Sequence, residues 1–375
     1  MVDARDCIVP EYYPNFSCKC SQCTCTCCST WSIPLSLSEY FKLLSIPCSE
    51  ALRKQLDRAF RIATSPTPDR YAVIAPRYDG TCPMLMDDGL CMLQHECGAE
   101  ELSSICRCYP RCARIVGDQY EAACANSCER TLELLFEMQK PLAFIHQTLP
   151  GDSFVAVSRD DIQKALRPIR PIVFQTLQNR AEPLSVRLMR LGRILSSAEH
   201  DGPAACTEPL VPSDAGIGYA LDLQFALLSL LSDTSVSLGE EAQAIFAKFG
   251  ASADGAVPDS AYYLACRAHL YDAFPGMDVY LEQLLANHLF FENFPFIEKY
   301  ATLWHAYMAL CAVYAVLKFI AACGMAEKSG VPDLIRIMTH AFRAIENSSF
   351  DHNAVVVLLH RECASQACLD RLVSA

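Results

Sequence analysis

A chain of 375 residues with 52% hydrophobic and 20% charged residues carries enough apolar material for a substantial core and has the length of two or three domains. Its formal net charge of -12 argues against a nucleic-acid partner, because phosphate binding selects clustered Lys and Arg. Acidity permits a basic protein substrate without demonstrating one.

The opening MVDARDCIVPEYY has no basic start followed by an apolar run, so no secretory signal is read there and a cytoplasmic location is expected. CKCSQCTCTCC, residues 18 to 28, follows. SLSE, Ser36 to Glu39, has capping-box spacing and predicts a helix through Leu44. Leu52, Leu56 and Phe60 recur at four-residue intervals as one apolar stripe of a second helix, which Pro66 and Pro68 end. RYAVIAP from Arg70 is a strand candidate, and YDGTCP is a turn.

From Arg130 the pattern becomes long Leu-, Ala- and Met-rich periodicity in which strand patterns are nearly absent. Helices are predicted near 131–146, 160–180, 184–198, 215–233, 238–249, 259–273, 277–291, 296–323, 331–346 and 352–373. Residues 199–214 read as a loop from their Pro, Gly and Asp content. WHAYMALCAVYAVLKFIAAC, residues 304–323, has membrane length, but it contains His305 and Lys318, so a buried helix is expected rather than a span. DAGIGYALD, residues 214–222, imitates an acidic-glycine nucleotide loop, yet it follows a Pro-rich loop where such a turn needs a strand. His288, Glu292 and Asn293 read as a polar network between helices, and Asp351 as a helix cap. His269, His305, His340 and His360 have apolar neighbours and read as hydrogen-bonded core histidines.

Of the 22 cysteines, sixteen lie at or before Cys128. In a reducing compartment disulfides do not persist, so this density reads first as metal ligation. Packed thiols and an export-dependent disulfide framework are the alternatives. Thiolates suit tetrahedral zinc or iron-sulfur clusters, with about four to a site. The scattered Cys206, Cys266, Cys311, Cys323, Cys363 and Cys368 read as core residues. No C-x3-C-x2-C triplet of the radical type and no ferredoxin spacing occurs.

PEYYPNFSC, the C-x4-C-x3-CC-x2-W run ending at Trp31, CPML-x4-LC (Cys82 to Cys91), CRCYPR (Cys106 to Arg111) and SCER at Cys128 resemble the flagellin lysine N-methylase family. LQNRAEPLSVRLMRLGRIL (177–195), LEQLLANHLFFENFPF (281–296) and FRAIENSSFDHN (342–353) resemble its later blocks, so the likeness covers nearly the whole chain. It departs from the family pattern in its extra Cys20, Cys25, Cys108, Cys112 and Cys124, and in lacking Pro after Cys128.

The resemblance implies S-adenosylmethionine-dependent methylation of lysine on a protein such as flagellin, with an iron-sulfur cluster (4Fe-4S first, zinc as alternative) on Cys18, Cys23, Cys27, Cys28, Cys82, Cys91, Cys106 and Cys128. Lysine must lose a proton before attacking a sulfonium methyl, and donor and acceptor must be held in line. Tyr109, beside Cys106, is the candidate catalytic group, with a packed aromatic whose hydroxyl is solvated as the alternative reading. Arg107 and Arg111 are candidates to pair with the donor's carboxylate, with a surface ion pair as the alternative role.

The expected architecture is therefore mainly α: a small irregular cysteine-rich metal-binding head with minor β (1–130), packed on a larger all-helical domain (131–375). No nucleic-acid or membrane partner is expected. A non-catalytic metal-binding interaction module and an electron-transfer protein are the rival functions.

Overall fold

A computed structural model describes residues 4–29, 31–150, 154–157, 166–200, 209–234, 236–249, 259–295 and 302–375. Two compact units divide the chain. The smaller comprises Ser17–Arg111 and Cys128–Arg130; the larger comprises Met1–Phe16, Cys112–Ser127 and Thr131–Ala375.

Strand β1 (Ala4–Pro10) opens the larger unit. The smaller unit then runs β2 (Ile33–Leu35), α1 (Leu37–Ser45), α2 (Glu50–Ala59), β3 (Phe60–Ile62), β4 (Ala72–Ile74), α3 (Met92–Cys97) and α4 (Ser104–Cys108). Its sheet has the order β2-β4-β3 and is antiparallel, with Leu35 opposite Ala72 and Phe60 opposite Ile74. The predicted capping box is formed: Ser36 Oγ accepts from the Glu39 amide, and the Glu39 carboxylate accepts from the Ser36 amide at 2.8 Å. The stripe on α2 buries Leu52 and Leu56, which pack with Ile33, Leu35, Leu43, Ile74, Met84 and Leu93 into one core. Cys82 and Cys91 pack against that core, and this fixes the backbone on which they sit.

The larger unit continues with β5 (Arg111–Val116), β6 (Gln119–Cys124), α5 (Glu129–Glu137), β7 (Phe144–Pro150) and β8 (Phe154–Val157), the first residues of α5 belonging to the smaller unit. Helices follow: α6 (Ile169–Leu177), α7 (Leu184–His200), α8 (Ile217–Ser232), α9 (Val236–Lys248), α10 (Ser260–Ala273), α11 (Met277–Phe291), α12 (Leu303–Gly324), α13 (Val331–Glu346), α14 (Phe350–His360) and α15 (Gln366–Ser374). The five strands form one sheet of order β7-β1-β6-β5-β8. A Gly117-Asp118 turn joins β5 to β6, with Gly117 at φ 62°, a conformation that costs glycine nothing. Helix α12 meets the length and hydropathy of a membrane span, but its apolar window is wholly buried inside the unit, as expected for a core helix.

The class is as expected, mainly helical with a small cysteine-rich part and minor β, but five local expectations are corrected. The helix predicted over 131–146 stops at Glu137, and residues 144–150 form β7. Its seven residues pair antiparallel with all of β1, from Ala4 opposite Pro150 to Pro10 opposite Phe144, and this ladder outweighs local helical preference. The helix predicted over 352–373 is two helices: Glu362 at φ 56° ends α14, and a Cys363–Cys368 disulfide spans the break. Those two cysteines are thus not simple core thiols, and Cys206 lies outside the described residues. Finally, Asp351 is a buried residue of α14 itself, not its cap, and His269 and His360 are exposed rather than core histidines. Parts of the helices predicted at 160–180 and 296–323 also fall outside the described residues, whose helices there are α6 and α12.

Candidate functional site

In the smaller unit, residues 18–28 form a loop with little regular structure, held from behind by one carboxylate. Glu129, itself buried, accepts from the Cys25 amide at 2.6 Å, from Thr24 Oγ1 at 2.7 Å and from Lys19 Nζ at 2.6 Å. Burial alone would raise its carboxyl, but Lys19 and these donors prevail and hold it down at about 2. The neighbouring turn meets the loop closely. A Cβ at Gly89 (φ 79°) would lie 3.0 Å from the Ser21 Cβ, so both backbone conformation and space select glycine.

A backbone contact brings one distant cysteine to this loop, and further contacts fix its neighbours. The Cys82 amide donates to the Cys28 carbonyl at 2.8 Å, beside a bridge between Ser29 and Thr81. The Trp31 indole donates to the Cys27 carbonyl at 2.8 Å. Cys91 is the residue before α3 and is bridged to Leu85, while Cys106 lies in α4, where its amide donates to the capping Ser103 Oγ.

Two thiol neighbourhoods result. In the first, burial pushes Cys82 up to about 11, with the nearby charges of Cys91 and Cys106 adding to it. Burial does the same to Cys106, also to about 11, with Cys91 and Cys27 contributing. Although Cys106 is exposed as a residue, enough protein surrounds its sulfur for desolvation to dominate. Cys91 is raised by burial and then by Cys27. In the second, Cys23 is pushed up to about 12 by burial, then by Glu129, with Cys128 and Cys18 adding smaller shares. Cys20 is raised first by Cys18.

Such mutually repelling thiols stay protonated at neutral pH, and a thiophilic cation is what would allow them to ionise together. The chemistry of the donor set therefore fits a thiolate-held group. As the side chains stand, no three His, Cys, Asp or Glu among the described residues converge closely enough to hold an ion. None of the cysteines up to Cys128 is joined as a cystine in this structure.

Of the eight expected ligands, Cys27, Cys82, Cys91 and Cys106 are near enough to influence one another's ionisation, as are Cys18, Cys23 and Cys128, but neither set converges as ligands do. Cys28 takes part through its backbone carbonyl. Among the extra cysteines, Cys112 and Cys124 belong to the larger unit. Tyr109 is half-buried and packs on Trp31, ring centroids 5.5 Å apart, while Arg107 and Arg111 are exposed.

The larger unit holds a second polar constellation, of which sequence reasoning singled out only His288, Glu292 and Asn293. Glu346, in the last turn of α13, accepts from the amides of Asn126 (3.0 Å) and Ser127 (2.9 Å). Asn287 of α11 donates to Asn126 Oδ1 at 2.6 Å and to the Cys124 carbonyl at 2.9 Å, and it accepts from the Tyr12 hydroxyl at 2.6 Å. The network thus secures the end of β6, whose last carbonyl and following amides would otherwise be buried without partners. His288 lies 3.8 Å from Glu346. Burial opposes its charge, but the nearby carboxylates of Glu346, Asp351 and Glu292 raise its pKa above the ordinary value. Asn293 is buried at φ 62°, with neither side-chain polar atom hydrogen-bonded. In the sequence, the signal was polar residues recurring inside otherwise apolar helical runs.

Comparison with known proteins adds a family. The model described as "FliB lysine N-methylase C-terminal domain" matches residues 170–365. Those residues lie wholly in the larger unit. A lysine-N-methylase of Salmonella choleraesuis (strain SC-B67) is 24% identical over 145 residues, covering 39% of this chain and 36% of that protein. A lysine-N-methylase of Salmonella typhimurium (strain LT2) is 24% identical over 146 residues, with the same coverage. The flagellar biosynthetic protein FliU of Salmonella muenchen is 31% identical over 103 residues, 27% of this chain and 60% of that protein. The chain therefore spans about a third of the length of the lysine-N-methylases it matches. No solved structure matches.

Proposed function

The chain belongs to the FliB lysine N-methylase family, and from that premise we propose that it is an S-adenosylmethionine-dependent protein-lysine N-methyltransferase whose substrate is flagellin. The observation that carries this reading is the family match across residues 170–365, supported by relatives named as lysine-N-methylases and as a flagellar biosynthetic protein. The net charge of -12 suits a substrate presented through lysine.

The methyl donor supplies an electrophilic sulfonium carbon, and this chain must bind it, orient a lysine and accept a proton. Tyr109, held against Trp31 beside Cys106, is proposed to take or polarise that proton. Cys27, Cys82, Cys91 and Cys106 are proposed to hold a thiolate-bound group, iron-sulfur before zinc, and Cys18, Cys23, Cys28 and Cys128 a second one. That group would also cross-link segments far apart in sequence and so order the smaller unit. A cytoplasmic location belongs to the same proposal.

Mass spectrometry of flagellin from cells with and without the gene tests the reading. Lysine-bound methyl groups that vanish on deletion are expected. Unchanged flagellin, with no methyl transfer to other lysine-bearing proteins in the purified system, would leave the metal-binding module in its place.

A further inference from the structure

The larger unit contains a cavity of about 540 Å³, within the range of small-molecule sites. Its wall explains why this stretch of sequence looks as it does. Arg170, Pro171, Phe174, Gln175 and Gln178 fall at positions i, i+1, i+4, i+5 and i+8, so one face of α6 and its C-cap line the cavity. The opposite side comes from the sheet, through Val116, Glu121 and Phe144, and from Phe290 of α11.

Three features define what such a space accepts. It is lined by phenyl rings: Phe144 and Phe174 meet edge-on at 5.1 Å between centroids, and Phe144 stacks on Phe290 at 4.4 Å. Phe290 is already served by the guanidinium groups of Arg170 and Arg114, at 5.0 and 5.6 Å, and Arg170 also lies 5.9 Å from the Phe174 centroid, which among the described residues leaves Phe144 as the ring with no cation over it and Phe174 as its edge-on neighbour. Gln178 donates its amide NH2 to the Leu142 carbonyl at 3.3 Å, which fixes the orientation of the side chain. Its Oε1 is then left buried with no hydrogen-bond partner, a costly state that a ligand N–H donor would relieve.

Charge at the site is uneven. The buried Glu121 carboxylate is neutralised by Arg170 and Arg114. Arg167 is paired only at the surface, with Asp118 at 2.5 Å. Exposed pairs of that kind are worth about 0–1 kcal/mol, so an incoming carboxylate can exchange with Asp118.

We propose that this cavity binds a purine nucleoside bearing an amino-acid tail, the chemistry of an adenosyl methyl donor. The ring lies against Phe144 and Phe174, its exocyclic amine donates to Gln178 Oε1, and the tail carboxylate pairs with Arg167. This deepens the methyltransferase reading and rests on it, and it places the donor away from Arg107 and Arg111, the pair to which sequence alone pointed.

Calorimetric titration of the full chain with S-adenosylhomocysteine and with adenosine tests the assignment without requiring turnover. Gln178→Leu removes the acceptor and should weaken both ligands about tenfold, the worth of one buried hydrogen bond. Gln175→Trp fills the cavity from an exposed position and should abolish both. Arg167→Met should weaken S-adenosylhomocysteine and spare adenosine. Far-UV circular dichroism checks each fold, and if Gln178→Leu fails to fold, the exposed-site variant decides.

Unchanged affinity in Gln175→Trp overturns the assignment, as does a loss of binding in Arg107→Ala/Arg111→Ala with the cavity variants unaffected. Absence of binding to the wild-type chain overturns it too. In each of these cases flagellin mass spectrometry judges the methyltransferase reading separately.

Discussion

Two buried ionisable groups make stability rise with pH, in two separate windows. Glu129 has a folded carboxyl held at about 2 and an ordinary value of 4.5 when unfolded. A depressed acid contributes stability above its unfolded value and loses it as pH falls towards the folded one, so its contribution fades between about 4.5 and 2. Glu129→Gln should therefore destabilise the smaller unit by about 1–3 kcal/mol at neutral pH and flatten its acid transition, as read by urea titration at several pH values. Lys318, buried on α12, is lowered to about 8 by desolvation and then by Arg267. Between about 8 and 10.5 the unfolded chain binds the extra proton, so stability rises with pH across that window. Lys318→Met should stabilise the protein by about 3 kcal/mol at pH 7 and abolish that rise. An unchanged midpoint would mean that the amine reaches water.

Among the elements, α7, α12 and α15 meet closely at Gly192. A Cβ at Gly192 would lie 2.5 Å from the Tyr307 ring and 2.6 Å from Gln366 Oε1. Tyr307 is fully buried and cannot retreat, so Gly192→Ala should cost about 1–3 kcal/mol by overpacking, although alanine is the better helix former. A lowered thermal midpoint checks this. The capping box of α1, the apolar stripe of α2 and the helices α8, α10, α11 and α13 were legible because their signals are local: a cap, a period, a stop. Strand β7 was not. Its pairing partner lies some 140 residues earlier in β1, and no window of sequence contains both.

For the whole molecule, a division into two units predicts more than one unfolding transition, contrary to two-state behaviour. If thiolates of the smaller unit hold a metal group, its removal by a chelator under reducing conditions should lower one transition and leave most of the helical circular dichroism, which arises in the larger unit, intact. A single transition unaffected by chelation would count against the bound group.

By itself, the sequence determined the helical class, the concentration of thiols before Cys128 and the family, since periodicity, composition and motif spacing are written along the chain. Only the tertiary structure decided which thiols are neighbours, that Glu346 and Asn287 secure the end of β6, and that one face of α6 lines a cavity. Those relations depend on distances through space between segments that sequence separation does not encode.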